Sequence, residues 1–328
     1  MAKDRIKRIA VFTSGGDAPG MNAAIRAVVR TAAYHDLHIF GINNGYEGMI
    51  DGDMRRLDIR DVGNIIYRGG TILKTARSMR FMTPEGRKHA YEALMAFDVD
   101  ACIAIGGNGT FTGAKIFSEE YNIPIIGIPG TIDNDLYGTD YTIGYDTAVN
   151  TAVQAVDKIR DTADSHNRLF FVEVMGRNSG FIALSTGIAS GAGNVLIPEV
   201  DTTLERLVEL LRLGVKRKKM FGIIVVAEGN KLGSTQKIAD KVKKAIDFYD
   251  TKVTIIGHMQ RGGSPSALDR LLSSRLGFGA VEGLLAGHAN EMIGLVNNEV
   301  VFTSFEDAIT KEKKPNQNLV RMAEILAI

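Results

Sequence analysis

Short apolar runs recur along the chain, most of them closed by glycine or a turn residue and followed by a stretch whose apolar positions return at helical spacing. They predict strands over Arg8–Thr13, His38–Ile42, Ala101–Ile105, Ile123–Ile128, Leu169–Val174, Gly222–Ala227, Lys252–Gly257 and Met292–Val296. Between two of these, Tyr145, Val149, Ala152, Val153, Val156 and Ile159 form one apolar stripe of a helix. Thr202 with Glu205 makes a capping-box pattern ahead of Leu204, Leu207, Val208 and Leu211. Thr83-Pro84-Glu85 reads as another start, with proline at the first helical position. Strands that alternate with helices predict an α/β fold of parallel strands covered by helices.

Composition narrows this picture. The 328 residues are 45% apolar, enough for a large core and near the length at which one core divides, so one or two domains follow. A net charge of +1 with no long basic run argues against a nucleic-acid partner. The single cysteine, Cys102, lies in an apolar strand, permits no intramolecular disulfide and suggests a reducing compartment. The charged start, Met1–Arg8, is followed by too short an apolar run for a signal peptide, and no stretch approaches the ~18 apolar residues of a membrane span. A soluble, cytoplasmic protein without a membrane partner is expected.

The candidate chemistry lies at strand ends. Pro129-Gly130-Thr131-Ile132-Asp133-Asn134-Asp135 sets two carboxylates just after an apolar strand, where open parallel sheets bind ligands. Such a turn offers a hydroxyl, a general base and a second anion, and it equally suits a helix cap. Ser14-Gly15-Gly16-Asp17-Ala18-Pro19-Gly20-Met21-Asn22 follows the first strand and opens a helix at about Ala23. Paired glycines and a helix start favour phosphate, although neither the dinucleotide fingerprint nor the P-loop is matched. Gly106-Gly107-Asn108-Gly109-Thr110 repeats the arrangement ahead of a helix near Phe111, and two such turns suit a polyphosphate across strand ends. Arg77, Arg168, Arg177, His258 and Arg261 add cations close to strand ends, suited to phosphate recognition.

Through Thr13–Asn22, Gly106–Thr110, Pro129–Asp135, Val172–Arg177 and Gly257–Pro265, the chain resembles the ATP-dependent 6-phosphofructokinases of the bacterial type, from Ile9 to near its carboxyl end. The resemblance implies two Rossmann-like α/β domains with mainly parallel sheets, helices on both faces and the active site in the cleft between them. It implies a larger ATP-binding domain, 1–144 plus about 260–310, and a smaller sugar-phosphate domain, about 145–259 plus 311–328. The expected reaction is phosphorylation of fructose 6-phosphate at its 1-hydroxyl by magnesium ATP, the committed step of glycolysis. Asp133 would take the hydroxyl proton, Thr131, Arg77 and Arg177 would contact the phosphoryl group, and Asp135 would support the sugar and metal region. Met175, Gly176, Glu228, His258 and Arg261 would hold the sugar phosphate, joined by Arg168 and Lys252 from a neighbouring subunit of a homotetramer. Gly16, Tyr46, Arg77, Ser78, Gly107, Asn108, Gly109, Thr110 and Gly113 fall at ATP-contact positions. Arg26, Arg30, Arg160, Gly191, Gly193, Arg217, Lys219 and Phe221 fall at an intersubunit effector site for ADP or phosphoenolpyruvate. Pyrophosphate-dependent relatives carry Asp at Gly109 and Lys at Gly130, so glycine at both favours ATP.

Against that family, Asn108 stands in place of the aspartate that coordinates magnesium. Met82 stands where a cation contacts ATP, with Arg80 as the substitute from the same loop, and Lys252 replaces an arginine. Gly193 replaces an effector-site glutamate, and the arginine expected at Ile59 is displaced to Arg60. Asn108, Met82 and Lys252 motivate one alternative, a kinase-like regulatory subunit that binds sugar phosphate or nucleotide without turnover, and pyrophosphate as donor is a second. NAD kinases and diacylglycerol kinases share a turn like Gly106–Thr110 but not the remaining ordered motifs.

Overall fold

The computed structural model describes residues 6–165, 168–217 and 222–327. Its strands are β1 (Arg8–Thr13), β2 (His38–Ile42), β3 (Met54–Leu57), β4 (Ala101–Gly106), β5 (Ile125–Pro129), β6 (Arg168–Val174), β7 (Asn194–Leu196), β8 (Gly222–Ala227), β9 (Asp250–Ile255), β10 (Glu291–Val296) and β11 (Glu299–Ser304). Every predicted strand is present with small shifts at its ends, and β3, β7 and β11 are additional. The helices are α1 (Met21–Tyr34), α2 (Gly45–Asp51), α3 (Pro84–Ala96), α4 (Asn108–Tyr121), α5 (Tyr145–Asp164), α6 (Phe181–Ser190), α7 (Leu204–Lys216), α8 (Thr235–Ala245), α9 (Ala267–Ala286), α10 (Phe305–Thr310) and α11 (Gln317–Leu326), with 3-10 turns at Arg80–Met82 and Gly257–Arg261. Among the described residues, no helix is long and apolar enough to cross a membrane.

Three helix starts differ from the sequence reading. α7 is capped by Thr203, whose hydroxyl accepts from Arg206 N at 3.2 Å, so the cap is one residue past Thr202. α1 begins at Met21, ahead of Ala23, and α4 at Asn108, ahead of Phe111. Asn108, Gly109 and Thr110 therefore lie in the first helical turn, and Gly107 alone is the cap. The buried side of α5 runs through Ala148, Ala152 and Val156, with Val149 and Val153 half-buried on its flank.

The chain divides into two compact units. The first comprises Met1–Thr131, Leu136–Thr147 and Arg261–Lys313, and the second Ile132–Asp135, Ala148–Gln260 and Lys314–Ile328. The first holds a sheet in the order β11-β10-β5-β4-β1-β2-β3, parallel except for the edge pairs β2–β3 and β10–β11. Its central strands are buried on both faces, which is why they read as unbroken apolar runs. Phe12, Phe111, Phe117 and Phe305 fill the core beside them. The second unit holds the all-parallel sheet β7-β8-β6-β9, with Leu169, Phe171, Ile224, Val226, Leu207 and Val242 in its core.

Strand order reverses between β1 and β4: β2 follows β1 to one side and β5 follows β4 to the other. The loops leaving two such neighbours diverge and open a crevice at their carboxyl ends. Ser14 N donates to Ile105 O at 3.0 Å, holding the first glycine loop against the end of β4.

Asp269, 1% exposed, anchors the start of α5 in the first unit. Its carboxylate accepts from Gly144 N and Thr147 N at 2.8 Å each and from Thr147 Oγ1 at 2.5 Å, closing the amide groups that a helix start leaves open. Burial outweighs these donors and pushes its carboxyl up to about 6. A raised carboxyl pKa means that the folded state keeps a proton which the unfolded state has lost. The contribution to stability is therefore present at low pH and disappears as pH rises through about 6, by roughly 3 kcal/mol in all. Urea denaturation between pH 4 and 7 should show this fall, and Asp269→Asn should flatten it.

Candidate active site

In the first unit, the two glycine turns meet over the β1–β4 switch point. Thr110 Oγ1 donates to Ser14 O at 3.1 Å, and Gly130 N donates to Gly106 O at 2.9 Å. A Cβ on Gly107 would lie 3.5 Å from that of Thr131, so Thr131 stands beside the second turn. The helices leaving these turns, α1 and α4, have no side-chain cap at Gly20 or Gly107, and their first turns contain no acid. Two such helix starts at one crevice attract anions.

Tyr46 belongs to the wall of this site. It is 5% exposed, stacks on Phe81 with ring centroids 3.9 Å apart and donates its hydroxyl to Thr110 O at 2.6 Å. Burial raises the phenol well above its ordinary range. Gly113 faces the Tyr46 ring, where a Cβ would come within 3.0 Å. Tyr46 thus supports the glycine turn from beneath.

The Arg77–Met82 loop is held by Glu47, which the sequence reading missed. Glu47 accepts from Ser78 Oγ and, at 2.7 Å, from Arg80 Nη1, and Arg80 also reaches Asp51 at 2.9 Å. The hydrogen bonds from Ser78 and Arg80 hold the Glu47 carboxyl below its ordinary range. Arg80 thus pairs with two acids of α2, while the Met82 side chain is 70% exposed. Arg77 is exposed and has no carboxylate partner among the described residues. Arg261 reaches Asp17 O at 3.2 Å, and its guanidinium lies 2.6 Å from where a Cβ of Gly16 would be. It therefore covers the first glycine loop.

In the second unit, Asp133 is 7% exposed and Asp135 half-buried. Ser179 Oγ lies 2.8 Å from Asp133 O and 3.0 Å from Gly176 O as a donor, joining the Asp133 main chain to the turn that ends β6. That turn carries two left-handed residues in succession, Gly176 at φ +145 and Arg177 at φ +55. Glu228 Oε1 accepts from both amides, Gly176 N at 3.2 Å and Arg177 N at 2.6 Å. This oxygen holds the turn. The Arg177 side chain is exposed with no carboxylate partner among the described residues, and His258 is exposed on its 3-10 turn.

Arg168 and Lys252 come together through Asp250, another residue the sequence reading passed over. Asp250 pairs with Lys252 at 3.0 Å and Arg168 at 3.4 Å, and these cations, Lys252 first, hold its carboxyl below its ordinary range. The signal was available: Asp250 and Lys252 share one face of β9, and Arg168 lies opposite Asp250 in register.

The effector candidates fall in both units. Arg26 and Arg30 lie one turn apart on α1 with no ion-pair partner among the described residues, whereas Arg160, Gly191, Gly193 and Arg217 line a cavity of about 980 Å³ in the second unit. Arg160 donates to the Ser190 and Gly191 carbonyls and so closes the end of α6 beside that cavity. Lys219 and Phe221 lie outside the described residues.

A family profile described as phosphofructokinase matches residues 8–284. The ATP-dependent 6-phosphofructokinase of Cytophaga hutchinsonii is 55% identical over 321 residues, covering 98% of this chain and 98% of its own length. The chain belongs to the phosphofructokinase family. ATP-dependent 6-phosphofructokinase 1 of Thermus thermophilus is 53% identical, over 98% of this chain and all of its own. Among solved structures, the phosphofructokinase of Saccharomyces cerevisiae matches with a TM-score of 0.90 at 36% identity, over 98% of this chain and 48% of the yeast chain. The chain thus spans about half the length of that relative.

For a phosphofructokinase, the glycine turns bear on the phosphoryl donor. A Cβ on Gly109 would meet nothing within 4 Å, whereas one on Gly130 would press on Ile105 and Met21 at 3.0 and 3.1 Å. The room above Gly109, at an uncapped helix start, fits a nucleoside polyphosphate. Among the described residues, no group of three or more carboxylate, imidazole or thiol ligands converges on one point. Asn108 offers an amide oxygen, which fits a magnesium ion carried largely by nucleotide phosphates. Gly109→Asp should leave the melting temperature unchanged and raise the KM for ATP about tenfold or more, read from ATP saturation curves beside a thermal melt.

Proposed function

We propose that the protein transfers the γ-phosphoryl group of ATP to the 1-hydroxyl of fructose 6-phosphate, giving fructose 1,6-bisphosphate and ADP, the committed phosphorylation of glycolysis in the cytoplasm. The observation that carries this reading is the tie between buried Asp133 and the turn bearing Arg177, through Ser179 Oγ at 2.8 and 3.0 Å. A carboxylate and an exposed guanidinium on two segments braced together match the needs of an alcohol attacking a phosphoryl group.

Asp133 accepts the proton of the 1-hydroxyl as that oxygen attacks phosphorus. Because the transition state is loose, orienting this hydroxyl contributes more than basicity does. Thr131, Arg77 and Arg177 stabilise the charge spread over the transferring oxygens, and the α1 and α4 starts hold the remaining phosphates. Magnesium, when bound, neutralises charge on those phosphates, with Asn108 as the protein ligand. Met175, Gly176, Glu228 and His258 orient the sugar phosphate, Asp135 supports it, and Arg261 stands over the first glycine loop. Arg168 and Lys252, gathered on the edge strand β9 and its neighbour β6, serve the site of an adjacent copy in a homotetramer. ADP or phosphoenolpyruvate occupies the cavity lined by Arg160 and Arg217, completed by Arg26 and Arg30 of a neighbouring subunit.

Asp133→Ala should abolish turnover in an assay of purified protein with magnesium ATP and fructose 6-phosphate, while calorimetry shows sugar binding nearly intact. Normal turnover would remove Asp133 from its role. Asn108→Asp should lower the magnesium concentration at half-maximal rate severalfold, because a carboxylate adds charge that the amide lacks. An unchanged magnesium curve would show that Asn108 does not ligate the ion.

A further inference from the structure

Gln260 is fully buried, although its neighbour Met259 is 71% exposed. Its Oε1 accepts from Met175 N at 2.8 Å, and its Nε2 donates to Ala148 O at 3.4 Å. β6 stops pairing at Val174, so Met175 N is the first amide beyond the ladder and meets a side chain where a strand neighbour would otherwise accept. One glutamine therefore ties together the Gly257–Gln260 stretch, the end of β6 and the first turns of α5. The amide orientation follows from the partners, since a main-chain N–H needs an acceptor and a carbonyl needs a donor. Methionine at this place would leave Met175 N without its acceptor, and a carboxylate would face the Ala148 carbonyl.

The segment thus fixed is the one under backbone strain. Gly176 and Arg177 are both left-handed, at φ +145 and +55, and a Cβ on Gly176 would come within 2.5 Å of Ser179 O. Such a turn persists only where its surroundings over-determine it. Glu228 holds it from the amides of Gly176 and Arg177, and Gln260 from the amide just before them.

We infer that Gln260 is a positioning residue for sugar-phosphate binding: it sets the Met175–Arg177 turn against the stretch bearing His258, without touching substrate. The inference rests on reading Met175, Gly176 and His258 as sugar-phosphate contacts. It assigns to Gln260 a selective effect on one substrate, which general loss of packing would not produce.

The test is steady-state kinetics and amide hydrogen exchange on full-length Gln260→Met and Gln260→Glu. Gln260→Met should raise the KM for fructose 6-phosphate about tenfold, leave the KM for ATP within about twofold, and lose exchange protection in the peptide covering Met175–Arg177 but not in β1 or β4. Gln260→Glu keeps an acceptor for Met175 N and should fall between Gln260→Met and the unaltered protein on both readouts. An unchanged sugar KM, equal rises in both KM values, or protection lost throughout the chain would overturn the inference. Should Gln260→Met fail to fold, the same criteria apply to Gln260→Glu. If the unaltered protein neither phosphorylates nor binds fructose 6-phosphate, the sugar-site reading falls and takes this inference with it. A normal sugar KM in Gln260→Met beside an active unaltered protein removes only the inference.

Discussion

The hydrogen bond from Ser14 N to Ile105 O, 3.0 Å long, sits where the first sheet reverses its strand order, and the phosphate chemistry of the first unit depends on that reversal. Parallel strands with crossovers to opposite sides cannot send their loops the same way, so a crevice opens at their carboxyl ends. Here both loops are glycine-rich and both lead into helices without side-chain caps. The two turns are joined by Thr110 Oγ1 and Ser14 O, with Tyr46 and Phe81 bracing the second from below. Substituting bulk there disturbs a stack of buried groups, except at Gly109, where the space is open.

The second unit obtains its site by a related route. Its sheet ends in a turn that the backbone would not adopt unaided, and side chains from elsewhere in that unit hold it: exposed Glu228 after β8, and buried Gln260 on the 3-10 turn and Ser179 ahead of α6. Each polar atom spent on main chain does structural service beside the chemistry. Glu228 does so with one carboxylate oxygen, Oε1, given to the turn.

Much of this was legible in the chain because buried parallel strands read as apolar runs and phosphate turns read as glycine pairs. β3 was not, since Met54-Arg55-Arg56-Leu57 is short and charged in the middle, and β7 is shorter still. β11 did carry a signal: Asn297 and Asn298, both left-handed, form a hairpin between β10 and β11. The candidate residues at strand ends were visible, but the partners that hold them were not. Glu47, Asp250, Ser179 and Gln260 are ordinary polar residues in sequence, and their meaning comes from neighbours up to 112 positions away. The pairing of Arg80 with Glu47 and Asp51 was hidden for the same reason, because it is set by the placement of α2.

The central claim is that the crevice at the β1–β4 switch point is built for a nucleoside triphosphate, with open room at Gly109 and an apolar wall at Gly130. The most direct measurement compares ATP with pyrophosphate as phosphoryl donor to fructose 6-phosphate, at equal magnesium. The account predicts turnover with ATP and none above background with pyrophosphate. Turnover with pyrophosphate equal to or faster than that with ATP would contradict it.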